Sequence, residues 1–193
     1  IQNILAGDNS HIHLVSDSFS DPFTVLNLKT FTEPNYKRSY STSCSQDDYR
    51  IEGRCVDFKF VSVLADKFVI LGSLRSKEGD VKYENLYAFT ANYISKEKDT
   101  EGIHLFKTGI DNLLSKSKFD VYVSPDNNRL LVVHKAKYKK EKKTKIIFKL
   151  FDEDLSLLGE FKDEFDTKEK DNLTDYIDNL ILDNEGSVYY MKN

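Results

Sequence analysis

Two histidines near the start of the chain have the spacing of metal ligands on a strand. His11 and His13 are one residue apart in a run that predicts a β-strand. Because strand side chains alternate, both imidazoles are expected on the same face. Asp8 and Asp17 are near in sequence, but a metal site takes three or four ligands in a defined geometry. The third ligand has to be guessed, so we predict no metal site and treat both histidines as part of a polar strand face.

Two cysteines, Cys44 and Cys55, flank the polar, turn-prone segment 45–54. A disulfide between them would close this loop and would suit an oxidising compartment. Two unrelated reduced thiols are the alternative, and both possibilities stay open. A zinc site is disfavoured because the sequence contains no pair of cysteines separated by two residues.

Seven lysines cluster between two predicted strands: Lys135, Lys137, Lys139, Lys140, Lys142, Lys143 and Lys145. The cluster predicts an extended hairpin tip. A basic finger of this kind contacts phosphate, an anionic membrane surface or an acidic partner. Repeated lysines also prevent strands from pairing edge to edge, and we favour this second interpretation. The formal net charge of -4 gives no overall attraction to nucleic acid.

The sequence carries no motif that predicts catalysis. The acidic clusters 152–154 and 163–166 lack the glycine and final glutamate of a calcium-binding loop. No serine, cysteine or threonine lies in a nucleophile elbow, and no glycine-rich phosphate loop is present. We therefore predict no catalytic residue and no cofactor.

The composition predicts a folded protein without a transmembrane segment. Hydrophobic residues make up 39% of the 193 residues, enough for a substantial core. No stretch approaches the roughly 18 apolar residues that span a bilayer. The chain begins at Ile1 without a signal-peptide pattern, so we expect a processed or truncated product.

Four short segments along the chain resemble one another. Each is a β-rich run, a turn that contains aspartate, and a second β-rich run. Aligning Ile12, Val69, Leu131 and Val188 gives spacings of 57, 62 and 57 residues. Asp, Asn and Gly favour tight turns, so each segment predicts an antiparallel hairpin. A repeat of this length indicates a repeated supersecondary unit.

Two further β-rich runs follow most hairpins and complete a unit of about four strands. The middle runs are 23–28, 85–91 and 145–151, and the last runs are 36–41, 102–107 and 156–161. Four strands are the content of one propeller blade. We therefore predict a single all-β domain with units 1–56, 57–118, 119–175 and a half unit 176–193. Antiparallel blade-like sheets of a partial β-propeller are favoured, and a β-sandwich is the alternative. Short helical turns within 109–118 and 166–176 do not change this class.

Two of the predicted turns resemble those of known propellers. Residues 123–126 followed by 130–133 are similar to the Ser-Pro-Asp turn of WD40-like and TolB-like blades. Residues 182–189 resemble the turn of six- to eight-bladed propellers common in secreted and lipid-anchored proteins of Bacteroidetes-type bacteria. The resemblance implies a propeller fold and a binding or scaffolding role. It transfers no catalytic residue.

The resemblance and the missing catalytic motif together favour a non-enzymatic binding or scaffold module of a periplasmic or cell-surface assembly. Its loops would contact a protein or glycan partner. Three full units and one hairpin leave a ring open, so we expect further blades or another subunit at the open end. The alternatives are an enzyme that acts on glycans at the propeller axis, and a β-sandwich that binds lipid or sugar.

Overall fold

The computed structural model describes the backbone of residues 2–7, 11–20, 23–32, 37–45, 49–95, 97–110, 117–138, 141–166 and 177–192. Side chains are described for Leu28 and for 49–95, 97–99, 101–110, 118–138, 141–166 and 180–191. In these parts of the chain all regular structure is β-strand, which confirms the all-β class. None of the described residues forms a helix long and apolar enough to cross a bilayer.

Sixteen strands lie in the described residues. They are β1 (Gln2–Gly7), β2 (His11–Ser20), β3 (Phe23–Thr32), β4 (Lys37–Ser45), β5 (Arg50–Ile51), β6 (Arg54–Cys55), β7 (Asp57–Leu64), β8 (Lys67–Glu78), β9 (Val81–Asn92), β10 (Lys98–Ile110), β11 (Ser117–Val123), β12 (Leu130–Tyr138), β13 (Lys143–Phe151), β14 (Leu157–Asp166), β15 (Ile177–Leu182) and β16 (Val188–Lys192).

The strands form three four-stranded sheets and two hairpins. The sheets are β1-β2-β3-β4, β7-β8-β9-β10 and β11-β12-β13-β14, and the hairpins are β15-β16 and β5-β6. Strands that are consecutive along the chain are neighbours in each sheet, as in an antiparallel meander. This order confirms the predicted repeat of antiparallel four-stranded sheets. A helical turn was considered possible within 109–118. Its described ends are strand instead, because Ile110 ends β10 and Ser117 begins β11.

The chain divides into two compact units. The first contains residues 1–74 and 85–107, and the second contains 75–84 and 108–193. The core of the first unit consists of Leu28, Tyr49, Val56, Val63, Phe68, Ile70, Phe89 and Ala91. The Tyr49 ring meets the Phe89 ring edge-on, with centroids 4.8 Å apart, an arrangement that aromatic pairs favour.

The core of the second unit lies on one face of β11–β14. It consists of Leu131, Val133, Ile146, Phe148 and Leu182. Because strand side chains alternate, Leu130 and Val132 lie on the opposite face of β12, and they are buried too. Both faces of β12 are therefore covered.

The short hairpin β5-β6 falls within the segment predicted to be turn-prone. Its two loop residues both have positive φ, 50° at Glu52 and 75° at Gly53. Positive φ at both positions defines a type I′ turn, which matches the twist of antiparallel strands. The Arg50 guanidinium donates a hydrogen bond of 2.8 Å to the Gly53 carbonyl.

We predict that Gly102→Ala destabilises the protein more than Gly53→Ala does. Both glycines have φ near +75°, but a Cβ at Gly102 lies 2.6 Å from Phe89 Cε1, whereas a Cβ at Gly53 meets nothing within 4 Å. The two variants share the backbone cost of positive φ, and only Gly102→Ala adds overpacking, about 1–3 kcal/mol. Urea unfolding followed by circular dichroism measures the difference, and equal losses would contradict the packing explanation.

Candidate functional site

An exposed apolar face lies on the hairpin β15-β16. Ile181, Tyr189 and Met191 are 61%, 58% and 54% exposed. Ile181 pairs with Tyr189 across the hairpin, and Tyr189 and Met191 share a face by strand alternation. We call these three residues the outer face. A group of large apolar side chains in contact with solvent is typical of a binding surface.

The opposite face of the same hairpin is packed against the sheet β11–β14. Leu182 belongs to the core of the second unit, and Val188 and Tyr190 pack against it. The Tyr190 and Phe148 rings are stacked, with centroids 5.2 Å apart. The Tyr190 hydroxyl donates a hydrogen bond of 3.1 Å to the Asp163 carboxylate. The hairpin is thus held on one face and open on the other.

The turn of this hairpin is shaped by Asp183 and Gly186. The Asp183 carboxylate accepts a hydrogen bond of 2.7 Å from the backbone N–H of Ser187. Gly186 has a φ of +90°, and a Cβ there would lie 2.8 Å from Leu150 Cδ2. The turn needs glycine both for its backbone angle and for its close approach to the sheet.

The two turns that resemble propeller turns lie against each other. The side-chain oxygen of Asn184 accepts a hydrogen bond of 3.0 Å from the backbone N–H of Asp126. The Arg129 guanidinium donates one of 2.8 Å to the Asn184 carbonyl. The Ser124 hydroxyl donates to the Asp126 carboxylate at 2.6 Å, and this bond holds the pKa of Asp126 below its usual range. These contacts fix the fourth hairpin relative to the third.

Strand registers define which positions of the two hairpins are equivalent. Val123 pairs with Leu130 next to the third turn, and Leu182 pairs with Val188 next to the fourth. Leu130 is therefore equivalent to Val188, one residue from the sequence alignment of Leu131 with Val188. The outer-face residues Ile181, Tyr189 and Met191 are then equivalent to Tyr122, Leu131 and Val133.

This equivalence shows which surface of the repeat the outer face corresponds to. Tyr122, Leu131 and Val133 belong to the face of the third sheet that receives the fourth hairpin. The outer face thus corresponds to the surface on which the next sheet of the repeat packs, and no described sheet covers it. The sequence contained a signal for it, since residues 188–191 are apolar without alternation. Such a run is typical of a strand that is buried on both faces.

A further exposed aromatic ring lies beside the hairpin. Phe161 on β14 pairs with Phe148 on β13, and their ring centroids are 5.7 Å apart. Tyr190 covers Phe148, but Phe161 is 54% exposed. Among the described residues, β16 pairs with β15 alone. Among the described residues, the core of the second unit is therefore only partly covered at Phe161 of β14.

The predicted histidine pair, His11 and His13, lies on β2. Their side chains lie outside the described residues, so the absence of a metal site there stays a prediction. Across the described part of the chain, no group of three metal-ligating side chains is gathered. His134 is buried, with its ring centroid 4.7 Å from that of Phe119 and its Nε2 3.8 Å from Glu84 Oε2.

The two cysteines lie on separate strands of the first unit. Cys55 is in β6 and half buried, and Cys44 is in β4. The Cys44 side chain is outside the described residues. The disulfide therefore stays a prediction.

The predicted basic finger is a hairpin of β12 and β13. Lys135 and Lys137 lie on β12, Lys143 and Lys145 on β13, and Lys142 in the turn, while Lys139 and Lys140 are outside the described residues. Several of these lysines have carboxylate partners. Lys143 Nζ lies 2.9 Å from the Asp166 carboxylate, and Lys145 Nζ lies 2.6 Å from that of Glu141. A charged contact with a partner stays a prediction, and these ion pairs would compete with it.

Lys135 belongs to an ion pair inside the second unit. It is nearly fully buried, and its Nζ lies 2.9 Å from the Asp120 carboxylate. Lys118 Nζ approaches the same carboxylate at 2.7 Å. Burial raises the pKa of Asp120, but hydrogen bonds from Lys118 and Lys135 outweigh burial, so its pKa lies below the usual value.

The acidic clusters have structural partners. The Asp152 carboxylate accepts hydrogen bonds from the backbone N–H of Asp154 at 3.0 Å and of Ser156 at 2.8 Å, which is an Asx turn. On β14, the Glu164 carboxylate lies 3.4 Å from Lys143 Nζ. These contacts account for the acidic residues as turn and surface groups.

An open cleft of about 640 Å³ lies in the first unit beside the turn between β9 and β10. Its wall includes Lys67, Asn92 and Asp99. The Asn92 side-chain oxygen accepts a hydrogen bond of 2.8 Å from the backbone N–H of Ser95, and Asp99 accepts one of 2.9 Å from that of Glu101. These polar groups stabilise the turn.

Comparison with known proteins finds no matching family model, no matching curated protein and no matching solved structure. The fold and the outer face define an all-β protein of repeated antiparallel sheets that exposes its repeat interface. What this protein does is therefore inferred from its own side chains.

We predict that Asp120→Asn destabilises the protein by about 2–4 kcal/mol at pH 7, because it leaves the buried Lys135 ammonium without its counter-charge. A carboxyl whose folded pKa is depressed stabilises the fold above its unfolded pKa and loses this effect as the pH falls toward the folded pKa. The difference from the wild type should therefore shrink below about pH 4.

The matched control is Asp57→Asn, which breaks the exposed pair between Asp57 and Lys59 and should change stability by less than about 1 kcal/mol. Urea unfolding at pH 7 and at pH 3 measures both variants. A loss for Asp120→Asn that is the same at both pH values would contradict the electrostatic explanation.

Proposed function

We propose that this chain is a non-enzymatic binding or scaffold module, a partial β-propeller within a larger extracytoplasmic assembly. The observation that carries the proposal is the outer face of Ile181, Tyr189 and Met191. It is equivalent in the repeat to a face that is covered by the next hairpin, and it is exposed. Further blades or another protein subunit would supply the missing apolar cover.

Contacts between the first strands of neighbouring sheets favour propeller blades over a β-sandwich. In the first unit β1 contacts β7, and in the second unit β11 contacts β15. Each of these is the first strand of its sheet or hairpin. First strands converge when sheets are arranged radially around an axis, as propeller blades are. Sheets that face each other in a sandwich contact through broad faces instead.

The size of the outer face is suited to an anchor within an interface. Burying each of its three large side chains is worth about 1.5–3 kcal/mol. Part of this gain offsets the translational and rotational freedom that the two partners lose when they associate. Tyrosine is enriched among the residues that dominate binding energy, so Tyr189 is expected to contribute most.

The chemistry of the outer face favours a protein partner over a glycan. Ile181 and Met191 offer only apolar surface beside the Tyr189 ring. Small-molecule sites combine apolar surface with a few polar groups that fix orientation. An apolar strand face with the pattern of a sheet interface instead fits another sheet.

We predict that a tagged chain of residues 1–193, expressed in its source cells, elutes in a complex well above its own 22.3 kDa. The double variant Tyr189→Asp, Met191→Asp should be released as a monomer, because two buried carboxylates have no partner in an apolar interface. Size-exclusion chromatography with detection of a tag on the protein measures both.

The matched control for this experiment is Ile94→Asp. Ile94 is the most exposed large hydrophobic residue of the first unit among those described, at 68%, and lies outside the outer face. This variant should keep the assembly. A wild-type monomer in the extract, or release by Ile94→Asp as readily as by the double variant, would count against the proposed function.

An extracytoplasmic location carries its own prediction. If Cys44 and Cys55 form a disulfide in an oxidising compartment, the denatured, unreduced protein should take up no iodoacetamide and the reduced protein should take up two equivalents. Mass spectrometry of protein from source cells, alkylated at lysis, measures this. Two adducts before reduction would contradict the disulfide and remove its support for the compartment.

A further inference from the structure

We infer that Asn184 and Arg129 are positioning residues for binding at the outer face. The Asn184 side-chain oxygen accepts a hydrogen bond of 3.0 Å from the backbone N–H of Asp126, and its carbonyl accepts one of 2.8 Å from the Arg129 guanidinium. We call these two bonds the turn contact. The inference rests on the proposed function, because the outer face is the surface that the turn contact positions.

The turn between β13 and β14 is an internal comparison for the turn of the fourth hairpin. There the backbone N–H of Asp152 donates to the Ser156 carbonyl at 3.1 Å, and the Asp152 carboxylate accepts a hydrogen bond of 2.8 Å from the Ser156 N–H. In the fourth hairpin, Asp183 and Ser187 make the same two bonds, at 3.1 and 2.7 Å. The two turns therefore share one backbone arrangement, which an aspartate carboxylate stabilises.

The second position of these two turns differs in residue type and in contacts. Glu153 occupies it between β13 and β14 and is exposed, so the backbone arrangement forms without asparagine. In the fourth hairpin Asn184 occupies it and makes both bonds of the turn contact. The role of Asn184 is therefore to hold the hairpin against the third turn, and not to form the turn itself.

The fourth position of the two turns also differs where the third turn is near. Leu155 takes a positive φ of 63° between β13 and β14, and Gly186 takes one of 90° in the fourth hairpin. A Cβ at Gly186 would lie 3.2 Å from Arg129 Cδ. Glycine at this position therefore lets the turn come close enough for the Arg129 hydrogen bond.

The donors of the third turn are held in place by Ser124, which is buried. Its hydroxyl donates to the Asp126 carboxylate at 2.6 Å and accepts a hydrogen bond of 2.9 Å from the backbone N–H of Arg129. Both residues that donate to Asn184 are therefore tied to one side chain. A site whose donors are already oriented loses less conformational freedom when it binds.

The turn contact positions the outer face because the paired strands of the hairpin move together. Ile181 pairs with Tyr189 and Leu182 pairs with Val188 across the hairpin, so a displaced turn displaces Ile181 and Tyr189 as well. The packed face alone does not fix this position, since the hydrophobic effect is not directional. A hairpin that is correctly placed for only part of the time binds with an affinity reduced by that fraction.

Hydrogen exchange of the intact chain tests the turn contact directly. Asn184→Leu removes the accepting side-chain oxygen at similar volume. It should accelerate amide exchange in β15 and β16 about tenfold, because a two-stranded hairpin is only marginally stable without its support. Arg129→Met removes the other bond, keeps the aliphatic stem and should act in the same direction. Amides of β12 and β13 should exchange as in the wild type, which shows that the variants are folded.

Two further variants separate the turn contact from formation of the turn. Asn184→Asp retains an accepting oxygen, now charged, and should keep the exchange of β15 and β16 within about threefold of the wild type. Glu153→Leu is the matched control at the same position of the turn between β13 and β14, and it should leave that exchange unchanged. No acceleration by Asn184→Leu, equal acceleration by Asn184→Asp, or acceleration by Glu153→Leu overturns the inference.

Assembly of the tagged chain tests whether the turn contact serves binding at the outer face. The extract is diluted serially, and each dilution is separated by size-exclusion chromatography. Asn184→Leu and Arg129→Met should leave the complex at an about tenfold higher concentration than the wild type does. Asn184→Asp should lie closer to the wild type than to Asn184→Leu, and Glu153→Leu should match the wild type.

The outcomes separate this inference from the proposed function. If Asn184→Leu and Arg129→Met keep the assembly while Tyr189→Asp, Met191→Asp releases it, the inference falls and the proposed function stands. If the wild-type chain is itself a monomer, the proposed function falls. Positioning of the outer face then falls with it, even where the exchange results hold.

Discussion

The structure depends on one constraint: a β-sheet that is apolar on both faces must have both faces covered. Residues 130–133 of β12 show it most clearly, since all four are buried although they alternate between faces. A continuous apolar run of this kind cannot border solvent without losing the hydrophobic free energy that holds the sheet. The sheet β11–β14 therefore requires cover on both faces of β12. The fourth hairpin supplies cover on one face of the third sheet, through Leu182, Val188 and Tyr190.

Polar contacts between the third and fourth turns set the position of the fourth hairpin on the third sheet. Asn184 bonds Asp126 through its side chain and Arg129 through its carbonyl. The apolar faces alone are tolerant of sliding, because the hydrophobic effect is not directional. Hydrogen bonds between turns have direction and distance. They hold the fourth turn in one position against the third.

The strands and turns of the fold were predictable from sequence. The equivalence of residues between the third and fourth hairpins was only partly predictable. Alternation and turn residues placed the hairpins and the third and fourth strands, because both signals act over a few residues. The alignment of Leu131 with Val188 was one residue off, since the third turn has one residue more than the fourth. One residue moves a side chain to the other face, so the outer face was not found from the alignment.

The burial of Lys135 was also beyond sequence reasoning. It was grouped with a solvated basic tip, whereas its ammonium group lies against Asp120 inside the second unit. Nothing in the local pattern separates this lysine from Lys137, because the carboxylate that compensates its burial comes from a neighbouring strand. A buried charge is tolerated only with such a partner, and partners across strands appear only when the register is known.

The fourth hairpin, β15-β16, is the element that an uncovered apolar face affects most. A two-stranded hairpin is marginally stable by itself, and this one is held by a single packed face and by its turn. A partner that covers the outer face would add to the same cooperative unit, so binding and ordering of the hairpin are thermodynamically linked. Under the proposed function, a partner that buries Tyr189 and Met191 would therefore stabilise the hairpin as well as bind it.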